Sequence, residues 1–222
     1  MKRIFDVVLS SLSIIFLSPF LILISIILLL TGEHLVFYSQ ARIGRGGKPF
    51  NLIKFVTMTK ESPNIGSGDI TLKNDPRVLR VGKLLRKTKI NELPQIINVL
   101  KGDMSIVGPR PLTRKIYDYY SDDIKSKIIE LRPGLTGMGS IIFRDEESLF
   151  DKSGMDYSIF YKNNITPYKG SLEIWYYKNK SLFLDLKIVF LTAMIIVNPK
   201  IRLRKYFHSL PESNNTLKEL LR

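Results

Sequence analysis

The sequence has no cysteine. That excludes a disulfide framework, a thiolate metal site and a cysteine nucleophile. Histidine is nearly as scarce: His34 and His208 lie far apart, and each reads as a surface or interface residue rather than a metal ligand. Acids are outnumbered, 20 Asp and Glu against 34 Lys and Arg, for a formal net charge of +14. Such an excess points to an anionic partner: nucleic acid, an anionic membrane surface or a phosphorylated substrate. There is no internal repeat. At 222 residues the chain suits one domain with an appendage and can bury a real core.

Charge is missing altogether from Val7 to Gly32. A straight helix of that length runs about 39 Å, enough to cross a hydrocarbon layer of ~30 Å. The apolar run is too long for a cleaved signal peptide, Asp6 sits in its basic flank, and no small-residue cleavage site follows. Ser18-Pro19 falls near the middle. Proline lacks an N–H and kinks or breaks a helix, and a neighbouring serine hydroxyl can satisfy the freed carbonyl. Two forms fit: a kinked spanning helix, or a helix–break–helix that enters and leaves by one face. Lys2 and Arg3 before the segment and the basic chain after it both favour the cytoplasmic side.

A second apolar stretch, residues 181–197, carries Asp185 and Lys187 early and is closed by Pro199. It reads as a core helix or an interfacial one. Lys200, Arg202, Arg204 and Lys205, followed by Tyr206 and Phe207, suit either an anionic lipid surface or a solvated helix end. The last residues, "PESNNTLKELLR", read as a loop and a short frayed helix.

Between these stretches the chain reads as mixed helix and strand. "LVFYSQARIG" and "PFNLIKFVTM", joined by "GRGGK", predict a β-hairpin within 33–60. Residues 61–76 are loop. "RVLRVGKLLRKTK" predicts a helix with Val78, Val81, Leu84 and Leu85 on its apolar side, and "ELPQIINVLK" a second one closed by Gly102. "GPRP" is a rigid corner. "YDYYSDDIKSKIIELRPG" reads as helical up to Pro133, and "GLTGMGSIIF" as a glycine-rich turn and a strand.

The cations concentrate. Residues 73–115 hold eleven Lys and Arg, Lys73 among them, against three acids, over half of the net excess. Arg80, Lys83 and Lys87 share one helix face. Arg110 stands between two prolines that orient its guanidinium, a fork suited to phosphate. Asn91 reads locally as an N-cap accepting the Leu93 N–H, with Glu92 favoured in the first helical turn. A cap does not account for the cations around it. A helix start ringed by Arg and Lys, with a carboxylate able to bind Mg²⁺, suits a diphosphate. The cations follow no DNA-binding or RNA-binding motif, and the chain starts with an apolar segment, so nucleic acid is set aside.

The residues that form this picture also resemble a known family. "KRIFD" ahead of a Ser-Pro-broken apolar helix, "NDPRVLRVGKLLRKTKINELPQIINVLKGDMSIVGPRP", "RPGLTG" and "SLFLDLKIVFLTA" resemble the bacterial sugar transferases, the monotopic phosphoglycosyl transferases, over residues 2–199. The resemblance implies transfer of a sugar 1-phosphate from a UDP-sugar to a polyprenyl phosphate, usually undecaprenyl phosphate, with release of UMP and use of Mg²⁺. It primes lipid-linked glycan synthesis. It implies a mainly helical α+β fold at the bacterial inner membrane. Residues 1–32 would form a re-entrant helix–break–helix at Ser18-Pro19. Residues 33–200 would form a cytoplasmic-face catalytic domain with an interfacial helix near 181–197, on a bilayer with anionic lipids. Residues 201–222 would be a basic and polar tail.

By the same resemblance Glu92 holds the metal, and Lys54, Arg77, Arg86 and Arg110 face or support the phosphates. The family's Asp nucleophile falls at Asn91, and an expected Arg at Val56. An amide is no nucleophile toward phosphorus. The favoured route is direct attack by the lipid phosphate while Glu92, Mg²⁺ and the cations stabilise the transition state. A catalytically silent relative and an inactivating substitution are the alternatives. Sugar choice is assigned to residues 132–150, where Arg144, Asp145, Glu146 and Glu147 either meet sugar hydroxyls or form a solvated face.

Overall fold

A computed structural model of the chain describes residues 1–62, 65, 75–144, 146, 149, 157–198, 201, 203–207 and 209–220. Lys73, Asp145, Glu147, Pro199, Lys200, Arg202 and His208 lie outside the described residues. The described fold is mainly helical with two small two-stranded sheets. Residues 1–41 and 51–102 form one compact unit, and residues 42–50 and 103–222 another. In this division the apolar helix belongs to a unit with the central helices.

Helix α1 spans Lys2–Leu30 and is long and apolar enough to cross a membrane. It runs through Pro19 without interruption, so the expected break is not a gap in the helix. The reason lies one residue earlier. Pro19 cannot donate to the carbonyl four residues back, which is Ile15, and the Ser18 hydroxyl donates to that same carbonyl at 2.9 Å. Near its C-terminal end Ile24 and Leu28 are buried against Phe55 and Leu85. Each such side chain contributes roughly 2 kcal/mol of apolar transfer. Near its N-terminal end the Arg3 guanidinium donates to the carbonyls of Val99 (2.6 Å) and Leu100 (2.8 Å). A cation there satisfies orphan carbonyls at the end of another helix and complements its dipole.

The rest of this unit follows the expected order. Strands β1 (Phe37–Ile43) and β2 (Pro49–Phe55) form the hairpin. Helix α2 spans Arg80–Lys87, and α3 spans Gln95–Lys101, ended by Gly102 at φ 97, the left-handed conformation that a glycine adopts at least cost. Helix α2 starts where the Leu79 N–H bonds the Thr57 carbonyl at 3.0 Å. Gly82 then packs on that same carbonyl: a Cβ there would sit 2.2 Å from it.

In the second unit, β3 (Ser105–Val107) and β4 (Gly134–Thr136) pair in parallel, Ser105 opposite Gly134 and Val107 opposite Thr136. The single helix expected before Pro133 is two, α4 (Arg114–Tyr117) and α5 (Asp122–Ile128), because Ser121 is extended between them. The strand expected in "GLTGMGSIIF" is β4 at its start only; Met138–Ile142 is helical and forms α6. A helix from Tyr157 (α7, Tyr157–Phe160) passes through a π turn, Tyr161–Ile165, into α8, Thr166–Asn179. Helix α9 is Leu182–Val197. The expectation of a core helix holds for one side of it: Leu184, Ile188, Leu191 and Ile195 are core, while Phe183, Leu186, Phe190 and Val197 are exposed. The terminal helix α10 (Asn215–Leu220) is anchored rather than frayed, with Leu217 fully buried.

Gly82→Ala is expected to push α2 off the Thr57 segment, since the atom it meets is backbone and cannot rotate away. A loss of ~2–3 kcal/mol, read as a fall in Tm, is the expected result; an unchanged Tm would contradict the close approach.

Candidate functional site

The first unit brings Glu92 to Lys54. Lys54 stands on β2, and the edge of that strand is held by Asn98 of α3. The Asn98 Oδ1 accepts the Ile53 N–H at 3.0 Å and its Nδ2 donates to the Asn51 carbonyl at 2.8 Å. With α3 pinned there, the turn ahead of it carries the Glu92 carboxylate to 3.5 Å from the Lys54 ammonium. Both side chains keep some exposure, 17% and 18%. That leaves them wet enough to exchange partners and dry enough to feel each other's charge. Val56, where an arginine was expected, is buried, and its N–H bonds the Val36 carbonyl.

Asn91 is not the expected N-cap. Lys89 adopts the left-handed conformation (φ 61) and starts a 3₁₀ turn over Ile90–Glu92, so Asn91 is itself inside a helical turn. The Leu93 N–H bonds the Ile90 carbonyl instead, at 3.1 Å. The residue before α3 is Pro94, with no side-chain cap. Asn91 is 6% exposed, and its Oδ1 is buried without a hydrogen-bond partner. An oxygen left in that state costs ~1–3 kcal/mol unless something supplies a donor or a cation.

The cations fall into distinct settings. Arg80, Lys83 and Lys87 are exposed on one face of α2, as their spacing predicts. Arg86 is half-buried, with Nη1 3.8 Å from the Met58 sulfur. Arg77 is buried and holds its own loop: Nε and Nη2 bond the Asp75 carboxylate, and Nη1 bonds the carbonyls of Ser62 and Ile65. Hydrogen bonding to Asp75 raises the Arg77 pKa further above its ordinary value, against the cost of burial. For Arg77 to meet a phosphate, Asp75 would have to let go. Among the described residues no group of three or more His, Cys, Asp and Glu is placed to hold a metal.

Arg110 belongs to the second unit and is half-buried there. Beside it lies a polar cluster that sequence reading passed over. Lys169 and Glu173, one turn apart on α8, are 4% and 5% exposed. The Lys169 ammonium pairs with Glu146 and lies 5.0 Å above the Phe143 ring. Burial holds it below its ordinary value. Burial likewise pushes Glu173 up to about 8, partly opposed by the Lys169 charge and by the backbone amides of Arg110 and Gly139. Tyr120 and Tyr161 are raised by burial too. Glu146 is therefore not on a solvated face, and neither is Arg144, whose Nη1 is buried without a partner. A Lys and a Glu four apart look like a surface pair in sequence; only the flanking Tyr, Gly and Trp of "TPYKGSLEIWYY" hinted at burial.

Residues 1–199 match the bacterial sugar transferase family. The chain belongs to that family. It is 38% identical over 195 residues to an uncharacterized sugar transferase, EpsL, of Bacillus subtilis, covering 87% of this chain and 85% of that one. It is 34% identical over 211 residues to the undecaprenyl-phosphate galactose phosphotransferase of Salmonella typhimurium, and 38% identical over 195 residues to the UDP-glucose:undecaprenyl-phosphate glucose-1-phosphate transferase of Klebsiella pneumoniae. These cover 89% and 86% of this chain but 40% and 39% of the relatives, so the chain spans about two fifths of their length. Helix α10 lies beyond the family match.

If Arg77 anchors its loop, Asp75→Asn and Arg77→Met should each cost ~3–5 kcal/mol, because either leaves a buried charge without its partner. The measurement is the urea or thermal midpoint of each variant; midpoints equal to that of the parent chain would show the pair to be dispensable.

Proposed function

We propose that this sugar transferase moves a sugar 1-phosphate from a UDP-sugar to undecaprenyl phosphate. The observation that carries the reading is the partly exposed Glu92–Lys54 pair, in a chain whose relatives are named for that transfer. The step balances simply. An oxygen of the lipid phosphate attacks the phosphorus that carries the sugar. The bond from that phosphorus to the oxygen bridging it to the uridylyl phosphate breaks. UMP leaves with the electron pair, and a new diphosphate joins sugar to lipid. The transition state spreads negative charge over phosphoryl oxygens, and positioned cations stabilise it. Lys54, paired with Glu92, and Arg86 are proposed to meet phosphate in the first unit, and Arg110 within the second.

Mg²⁺ fits the donors present. Glu92 offers a carboxylate and Asn91 a buried amide oxygen, both hard ligands, and Mg²⁺ takes one or two protein oxygens with the rest from substrate phosphates and water. Bound there, it would neutralise phosphate charge. Asn91, a neutral amide, stays intact throughout.

We further propose a monotopic arrangement at the cytoplasmic face of the inner membrane. Both ends of α1 meet the same compact unit: Arg3 bonds the end of α3, and Leu28 packs on Phe55 and Leu85. A helix that crossed the bilayer would separate those ends. The exposed apolar faces of α1 and α9 then face lipid.

Two experiments test these readings. Purified chain, Asn91→Asp and Glu92→Gln are assayed for UMP release from a set of UDP-sugars with undecaprenyl phosphate and Mg²⁺. The chain should turn over, and Glu92→Gln should lose about 10²-fold or more. A silent chain with an active Asn91→Asp removes direct attack, and silence of every chain with every donor removes the transferase reading. For topology, the absence of cysteine allows Lys2→Cys to be probed with an impermeant maleimide. Protection in intact spheroplasts, with labelling after lysis, is expected; labelling from outside would sink the one-sided helix.

A further inference from the structure

We infer that Glu173 and Gly139 are positioning residues for Arg110. The inference rests on the reading of Arg110 as a phosphate ligand. Prolines at 109 and 111 carry no N–H, so across Pro109–Pro111 the Arg110 amide is the backbone donor. It faces the Glu173 carboxyl, as does the amide of Gly139 at the start of α6. The approach is close: a Cβ at Gly139 would come within 2.7 Å of the Glu173 Oε1. Pro109, Arg110, Tyr120, Gly139, Lys169 and Glu173 line one small cavity.

The surroundings explain why a carboxyl is kept there. Glu173 is buried on all sides, and its second oxygen has no hydrogen-bond partner. Lys169, on the same helix, is occupied by Glu146 and by the Tyr161 hydroxyl at 3.4 Å, so its ammonium already has anionic and polar company. Arg110 lies near enough to Lys169 and Tyr161 to act on both electrostatically. Thus two anchored elements, α6 and α8, converge on one carboxyl, which in turn seats the backbone of an arginine. A seated backbone between two prolines fixes the direction in which the Arg110 side chain leaves the chain, and placement of a charged group is what a transferring phosphoryl group requires. Burial raises the carboxyl's pKa, and the donors that meet it are backbone amides, so the seat calls for an acceptor oxygen rather than for full charge. Glutamine retains that oxygen and methionine does not.

The test uses the full chain in detergent, in the parent and Asn91→Asp backgrounds. Hydrogen–deuterium exchange of the peptide spanning residues 108–112 reads the seat directly. Glu173→Met and Gly139→Ala should each raise its exchange about tenfold, with peptides of α9 unchanged, and Glu173→Gln should match the parent. In whichever background turns over, the same two variants should raise KM for the UDP-sugar about tenfold with little change in kcat, and Glu173→Gln should restore it. A merely structural role would lower Tm without moving KM. Unchanged exchange in both Glu173→Met and Gly139→Ala overturns the seat. Raised exchange with unchanged KM in an active chain overturns its link to phosphate binding. Raised exchange in chains that turn over no donor supports the seat and removes the transferase reading instead.

Discussion

The bond between Asn98 and the edge of β2 is the constraint on which the first unit depends. A strand edge presents an N–H and a carbonyl in alternation, and an asparagine side chain carries the complement of both. Asn98 uses each once, on Ile53 and Asn51, and so fixes both the distance and the rotation of α3 relative to the strand. Lys54 follows Ile53 directly, and Glu92 precedes α3 by one turn. Their pairing is a consequence of that docking rather than its cause, since a partly exposed pair at 3.5 Å contributes at most ~1 kcal/mol. The pair is thereby free to be weak, as the proposed exchange of partners for phosphate or metal would require.

The same helix is held from its other end. Arg3 lies on the first turn of a largely apolar helix and closes the carbonyl end of α3. Thus α3 is clamped by Asn98 to the hairpin and by Arg3 to α1. Ser18 does comparable work within α1. By bonding the one carbonyl that Pro19 leaves open, it lets a proline sit in mid-helix without exposing a polar group to an apolar surrounding. A kink is then possible without a break, and this is why the residue pair that marked a break in the sequence leaves the helix continuous.

What could be read in advance follows a pattern. The face of α2 bearing Arg80, Lys83 and Lys87 was legible because exposure follows the 3.6-residue period, and the hairpin because β-branched runs flank a glycine-rich turn. The reading of Asn91 as a cap went wrong through Lys89, whose left-handed backbone starts the helical turn two residues early. Nothing in a lysine announces that conformation. The helical course of "MGSII" against its β propensity reflects packing on α8, where Gly139 meets Glu173. The Lys169–Glu173 cluster was hidden for a different reason. Its members sit four apart, the spacing of an ordinary surface ion pair, and only the three-dimensional neighbours Glu146, Tyr161 and Gly139 make it an interior one.

The amide at position 91 fits its surroundings better than its chemistry suggests. The site is 6% exposed, and a carboxylate there would need a cation or several donors to offset desolvation. Lys54 is already turned to Glu92. A neutral side chain of the same shape avoids that demand, and its one unpartnered oxygen costs far less than an unpaired charge. Under the proposed reading the same oxygen would be available to a hard cation arriving with a diphosphate. Because an amide is no nucleophile toward phosphorus, the proposed transfer would then rest on charge stabilisation by Lys54 and the arginines, with Glu92 as a ligand for the cation.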